Sequence, residues 1–107
     1  MSISSNAVDS KGRARLHAEV SGLVQGVGFR YATADEAHRL QLAGWVRNLG
    51  SGQVEAVFEG PRASVEDMVR WCNDGPPGSF VRNVRVTWDQ PLEHLRQFEI
   101  RPSGLRY

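Results

Sequence analysis

From Ala14 onward, Leu16, Ala18 and Val20 alternate with His17, Glu19 and Ser21. A period of two predicts a strand with one buried face. After a glycine-rich stretch, Phe29, Thr33, Ala37 and Leu40 recur at helical spacing, while Asp35, Glu36, His38 and Arg39 fall on other faces. Gly44 is expected to end this helix, and Trp45-Val46-Arg47-Asn48 to begin a short strand. The segment from Leu49 to Gly52 has turn chemistry. Val54, Ala56 and Phe58 then alternate with Glu55, Val57 and Glu59. Val57 adds an apolar group to an otherwise acidic face, which marks a central strand.

Pro61 suits the first turn of a second helix. Val65, Met68, Val69 and Cys72 form its apolar stripe, with Trp71 beside it, and Ser64 and Asp67 are cap candidates for a later start. The run from Asn73 to Gly78 stops it. Val84, Val86 and Trp88 alternate with Arg85 and Thr87 as another strand, Pro91 breaks that strand, and residues 97–101 offer a last one. The order is β-α-β-β-α-β plus a short C-terminal strand. It predicts an α+β, ferredoxin-like sandwich with a mostly antiparallel sheet.

That order makes a geometric prediction. A helix of about 12 residues rises roughly 18 Å and returns the chain along the first strand. The first two strands are therefore expected to run parallel, with their C-terminal ends at one edge of the sheet. The glycine-rich stretch follows one of them, and Asn48 ends the other.

Composition narrows the picture without redirecting it. The chain has 107 residues, enough for one domain and too few for two. A net charge of +1 advertises no nucleic-acid or anionic membrane partner. The lone Cys72 rules out an internal disulfide, and no apolar run reaches the length of a membrane span. A cytoplasmic location is the default expectation. Residues 1–12 are polar and read as a flexible tail, residues 13–103 as the folded domain and residues 104–107 as a second tail.

The candidate chemistry begins with Gly22-Leu-Val-Gln-Gly-Val-Gly-Phe-Arg30. Glycines between a strand and a helix let the backbone curl around an anion, with helix N-terminal amides pointing at it. Arg30 closes the loop, and its planar fork suits phosphate oxygens. Taken alone, Arg30 reads as a surface charge and Asn48 as a turn residue. Three glycines in seven residues ahead of an arginine exceed what a plain turn requires.

The run from Val20 to Arg30, followed by Thr33, Ala37 and Leu40, then Gly44-Trp-Val-Arg-Asn48 and Gly52-x-Val-Glu55, resembles the acylphosphatase family. The similarity continues through Glu59-Gly-Pro61, Met68 and Trp71, Gly75-Pro-Pro and residues 98–101, so it covers about residues 14–101. The resemblance implies hydrolysis of acyl phosphates to a carboxylate and inorganic phosphate, with no metal and no cofactor. It places the family's essential arginine on Arg30 and its essential asparagine on Asn48. The phosphate-binding loop falls on Gln25, Gly26, Val27, Gly28, Phe29 and Arg30. Two positions depart from the pattern: Gln41 stands for the usual glycine, and Ser51 for the usual aspartate of the turn.

An acyl phosphate leaves as a weakly basic carboxylate, so the enzyme needs chiefly to neutralise phosphoryl charge and place a water. The expected partners are a small acyl phosphate and inorganic phosphate as product and inhibitor, with no nucleic acid, no membrane and a monomeric chain. One alternative is a non-catalytic domain that binds phosphate or carbamoyl phosphate. Another is an RNA-binding module, disfavoured because no aromatic-rich strand motif appears. His17, His38 and His94 lack metal-ligand spacing, and Cys72 reads as core. Trp45, Trp71 and Trp88 read as packing residues, Arg82 and Arg85 as a solvated sheet face, and Thr33 as a packing or supporting donor.

Overall fold

The computed structural model describes residue 8, residues 11–89 and residues 95–104. Pro91 and His94 lie outside the described residues. The elements run β1 (Arg13–Leu23), α1 (Phe29–Arg39), β2 (Ala43–Asn48), β3 (Val54–Pro61), α2 (Arg62–Asp74), β4 (Phe80–Asp89) and β5 (Phe98–Ile100). They form one five-stranded sheet in the order β4-β1-β3-β2-β5. Every pairing is antiparallel except β2 with β5. This is the ferredoxin-like arrangement expected from the element order.

The central strand is β3, and its burial on both faces follows from that position. Val54, Ala56 and Phe58 enter the core with Leu16, Ala18 and Val20 of β1 and with Val65, Met68 and Cys72 of α2. Phe58 stacks on Phe98 of β5 with ring centroids 5.7 Å apart. The opposite face is buried too, which the alternation of β1 did not anticipate. Glu19, Glu55 and Glu59 are all at most 4% exposed. Each is neutralised in place: Arg85 bonds Glu19, His17 and Arg47 bond Glu55, and Arg15 bonds Glu59. The backbone N–H of Leu95 also donates to Glu59. Buried carboxylates persist only when paired in this way.

Two helix boundaries differ from the sequence expectation. The first helix ends at Arg39, not near Gly44, which lies inside β2. Its terminator is Gln41, whose φ of 59° is left-handed. The N–H of Gln41 bonds the carbonyl of His38, and that of Leu42 bonds the carbonyl of Ala37. These two bonds make a Schellman ending, a motif that favours glycine at the Gln41 position. The second helix starts at Arg62 with Pro61 as its cap residue, so Ser64 and Asp67 lie within the helix.

Both tail boundaries carry contacts with the domain. The carbonyl of Gly12 accepts from the N–H of Arg62, and Val8 bridges to Ala14. At the other end, Gly104 bridges to Leu49, and its N–H donates to the carbonyl of Asn48.

Candidate active site

Strands β1 and β2 each pair antiparallel with β3, so they run parallel to one another. The glycine loop and Asn48 therefore leave the sheet at the same edge, as the connection lengths predicted. Val24 and Phe29, buried at opposite ends of the loop, anchor it to the core, and Phe29 packs against Trp71 at 5.7 Å. Between them, Gly26 has a φ of 75° and Gly28 a φ of 77°. A β-carbon would be strained at either backbone conformation. Gly28 is also the cap residue of α1, and no side chain caps the helix. The first-turn amides thus have no side-chain cap and point out along the helix N-terminus, in the field of its dipole.

Gly22 does a different job. A β-carbon there would lie 2.1 Å from the Phe80 carbonyl, so the residue lets β1 and β4 approach at the bulge between Ser21 and Gly22. It belongs to the sheet rather than to the anion loop.

Arg30 is the second residue of α1 and is half-buried. Its guanidinium lies 5.9 Å from the centroid of the Tyr31 ring, and among the described residues it forms no ion pair. Asn48 closes β2, and its side-chain Oδ1 is buried with no hydrogen-bond partner among the described residues. An orphaned buried acceptor is uncommon in folded proteins and marks a place where a ligand or water supplies the missing bond.

Gln25 connects the two segments. Its Nε2 donates to the carbonyls of Leu49 and Gln53, both at 2.9 Å, and so ties the loop to the turn that follows Asn48. Gln53 in turn donates to Ser21 Oγ at 2.8 Å. The resemblance places Gln25 in the phosphate-binding loop, and there its side-chain amide nitrogen is engaged on backbone carbonyls. The roles of Gln53 and Ser21 were missed, because bonds spanning 28 and 32 residues leave no local pattern.

Residues 16–100 match the acylphosphatase family model. The chain belongs to the acylphosphatase family. It is 60% identical over 87 residues to an acylphosphatase of Nostoc sp. (strain PCC 7120 / SAG 25.82 / UTEX 2576), covering 81% of this chain and 85% of that one. An acylphosphatase structure from Coxiella burnetii superposes with a TM-score of 0.81 at 41% identity, covering 85% of this chain and 95% of that one. One from Bacillus subtilis gives 0.79 at 40% identity, with 81% and 97% coverage.

The two departures from the acylphosphatase pattern have local explanations. Gln41 occupies the left-handed helix ending where a glycine is unstrained. Ser51 supplies the turn with its hydroxyl, accepting from the N–H of Gln53 at 3.4 Å and donating to its Oε1 at 3.2 Å.

The remaining candidates sit away from this edge or are otherwise occupied. Cys72 is 1% exposed in the core, and burial pushes its thiol up to about 12. His38 lies at hydrogen-bond distance from the Phe98 carbonyl, and Thr33 donates back to the Phe29 carbonyl within α1. His17, Glu19 and Glu55 bring three donor atoms within 4.8 Å of one another, a cluster that the sequence spacing did not suggest. Both of its carboxylates are already bonded by arginines. Trp71 packs on Phe29, Trp45 has the guanidinium groups of Arg47 and Arg101 about its ring, and Trp88 lies under Arg62. The side chain of Arg85 is committed to Glu19.

Proposed function

We propose that the enzyme hydrolyses the carboxyl–phosphate bond of acyl phosphates, with Arg30 and Asn48 dividing the work. The amides of residues 25–30 and the Arg30 guanidinium hold the phosphoryl oxygens and offset their charge. Asn48 orients a water in line with the bond to be broken. The water oxygen forms a bond to phosphorus, and the bond from phosphorus to the acyl oxygen breaks. The electron pair leaves with the carboxylate, and the proton from the water ends on the phosphate. The leaving carboxylate is a weak base and needs no general acid, so positioning and charge neutralisation carry the catalysis.

The orphaned Oδ1 of Asn48 supports this reading most directly. It is a buried acceptor held at the edge where an uncapped glycine loop presents helix amides. An acceptor suits a water proton and is unsuited to a phosphate oxygen. The reading further takes inorganic phosphate as a competitive inhibitor, since product and substrate share the phosphoryl cradle.

Residues 13–103 are taken as the working domain, and a monomeric cytoplasmic enzyme is the accompanying reading. Among the described residues, no helix is long and apolar enough to cross a membrane. On the sheet face that carries Glu55, the ring of Trp45 is flanked by the guanidinium groups of Arg47 and Arg101, which weighs against a base-stacking platform and the RNA-binding alternative. Phosphate release from benzoyl phosphate, measured with and without a chelator, tests the reading. Turnover indifferent to chelation is expected, and binding of phosphate without turnover would favour a non-catalytic domain instead.

A further inference from the structure

A cleft of about 390 Å³ opens between Ser21, Gly22, Ser51, Gly52, Gln53 and Arg82. Its volume lies within the range of small-molecule sites. Its lining is polar and contains one charged residue, Arg82. No carboxylate lines it, and among the described residues Arg82 makes no ion pair. The contrast with Arg85, three residues along the same strand and bonded to Glu19 at 2.5 Å, is informative. One arginine of β4 is neutralised by the fold, and the other is left available.

The cleft adjoins the candidate active site through two segments. Ser21 and Gly22 lead directly into the glycine loop, and Ser51 to Gln53 follow directly from Asn48. Gln53 belongs to both: its carbonyl accepts from Gln25 of the loop, and its side-chain amide donates to Ser21 within the cleft. Arg82 and Asn48 lie on strands three neighbours apart in the sheet, β4 and β2. Three strand spacings amount to about 14 Å. An extended arginine side chain and a short acyl group together cover most of that distance.

We propose that this cleft receives the acyl end of the substrate, and that Arg82 selects acyl phosphates bearing a second anionic group, such as a carboxylate, at the far end of the acyl moiety. The inference rests on the hydrolytic reading above and adds what that reading leaves open, because Arg30 and Asn48 address only the phosphoryl end. Arg82 acts here as a specificity residue. A solvent-exposed guanidinium–carboxylate pair favours the anionic substrate by up to about fivefold at low salt. The preference should shrink as ionic strength rises.

The test compares kcat/KM for benzoyl phosphate with that for its 3-carboxy and 4-carboxy derivatives. The rigid ring prevents the carboxylate from attacking its own anhydride, and the two isomers sample two reaches. The wild-type enzyme should prefer at least one carboxylated substrate by about two- to fivefold, chiefly through KM. Arg82→Ala should bring that ratio to about one, and Arg82→Lys should restore part of it. Arg96→Ala, which removes the same charge from an exposed position outside this cleft, should keep the preference. The proposal is overturned if the wild type shows no preference for either isomer, if Arg82→Ala retains it, or if Arg96→Ala loses it equally. Failure of the wild type to hydrolyse any of the three would instead fall on the hydrolytic reading and take the subsite with it.

Discussion

The side-chain amide of Gln25 donates to two carbonyls at once, those of Leu49 and Gln53, each at 2.9 Å. The bonds span 24 and 28 residues, and they fasten the glycine loop to the turn that follows Asn48. The relative placement of loop and asparagine is therefore fixed by one residue as well as by the sheet.

Gln25→Ala should loosen that placement. Two net hydrogen bonds contribute about 1–3 kcal/mol to stability. A misplacement approaching 1 Å costs roughly ten- to a hundredfold in kcat/KM. Gln25→Glu should be worse than Gln25→Ala, because it sets a carboxylate against two carbonyls and beside the phosphoryl group. Steady-state kinetics and thermal melting of both variants check this. Wild-type kcat/KM in folded Gln25→Ala would show that the clamp has no part in catalysis.

Gln41→Gly should stabilise the domain. A non-glycine residue in the left-handed region carries a penalty of about 1–2 kcal/mol, part of which glycine gives back in chain entropy. A gain of about 0.5–1 kcal/mol in urea unfolding is expected, with unchanged kcat. A loss of stability would mean that the Gln41 side chain makes a compensating contact.

Cys72→Ser should lower stability by about 1–3 kcal/mol, since a hydroxyl replaces a thiol in the apolar core. Activity per folded molecule should persist. In the native enzyme the thiol, buried and raised to about 12, should resist alkylation at neutral pH and react only on unfolding. Alkylation that stops turnover in the folded protein would contradict this.

Glu55 sets an acid limit on stability. Burial opposes its ionisation most strongly, but the hydrogen bonds from His17 and Arg47, with the charge on Arg47, outweigh it and lower the pKa below 4.5. A carboxylate held lower in the folded state binds fewer protons there than in the unfolded chain. Its stabilisation is therefore complete above the unfolded value and lost as pH falls from about 4.5 through the folded value. Denaturant unfolding across that window should show stability falling with acid, and Glu55→Gln should flatten the slope. An equal slope in Glu55→Gln would assign it to other carboxylates.

Much of the fold was legible because its periodicities were clean. Leu16, Ala18 and Val20 alternate without interruption, and Val57 disclosed the central strand. The placement of the candidate site was legible for a different reason: Gly26, Gly28 and Arg30 sit together in sequence, and connection lengths put Asn48 at the same edge. What escaped the sequence depended on partners far along the chain. Glu19 reads as a solvent-facing residue until Arg85, 66 residues away, covers it. Gly44 reads as a helix stop, but the chain had already turned at Gln41, where side-chain identity opposes the conformation the backbone adopts. Gln25 reads as a loop residue because its acceptors are main-chain carbonyls, which any sequence offers.

The most direct test of the proposed division of labour is steady-state hydrolysis of benzoyl phosphate, with competitive phosphate inhibition, by folded Arg30→Ala and Asn48→Ala. Arg30→Ala should nearly abolish turnover and greatly weaken phosphate inhibition, because the main counter-charge is gone. Asn48→Ala should lose about 10²–10³ in kcat, as when one preorganised transition-state donor is removed, while its inhibition constant for phosphate stays close to that of the wild type. Near-normal activity in folded Arg30→Ala would contradict the phosphate anchor. An Asn48→Ala enzyme that keeps kcat but loses phosphate affinity as severely as Arg30→Ala would make Asn48 a binding residue and the account wrong.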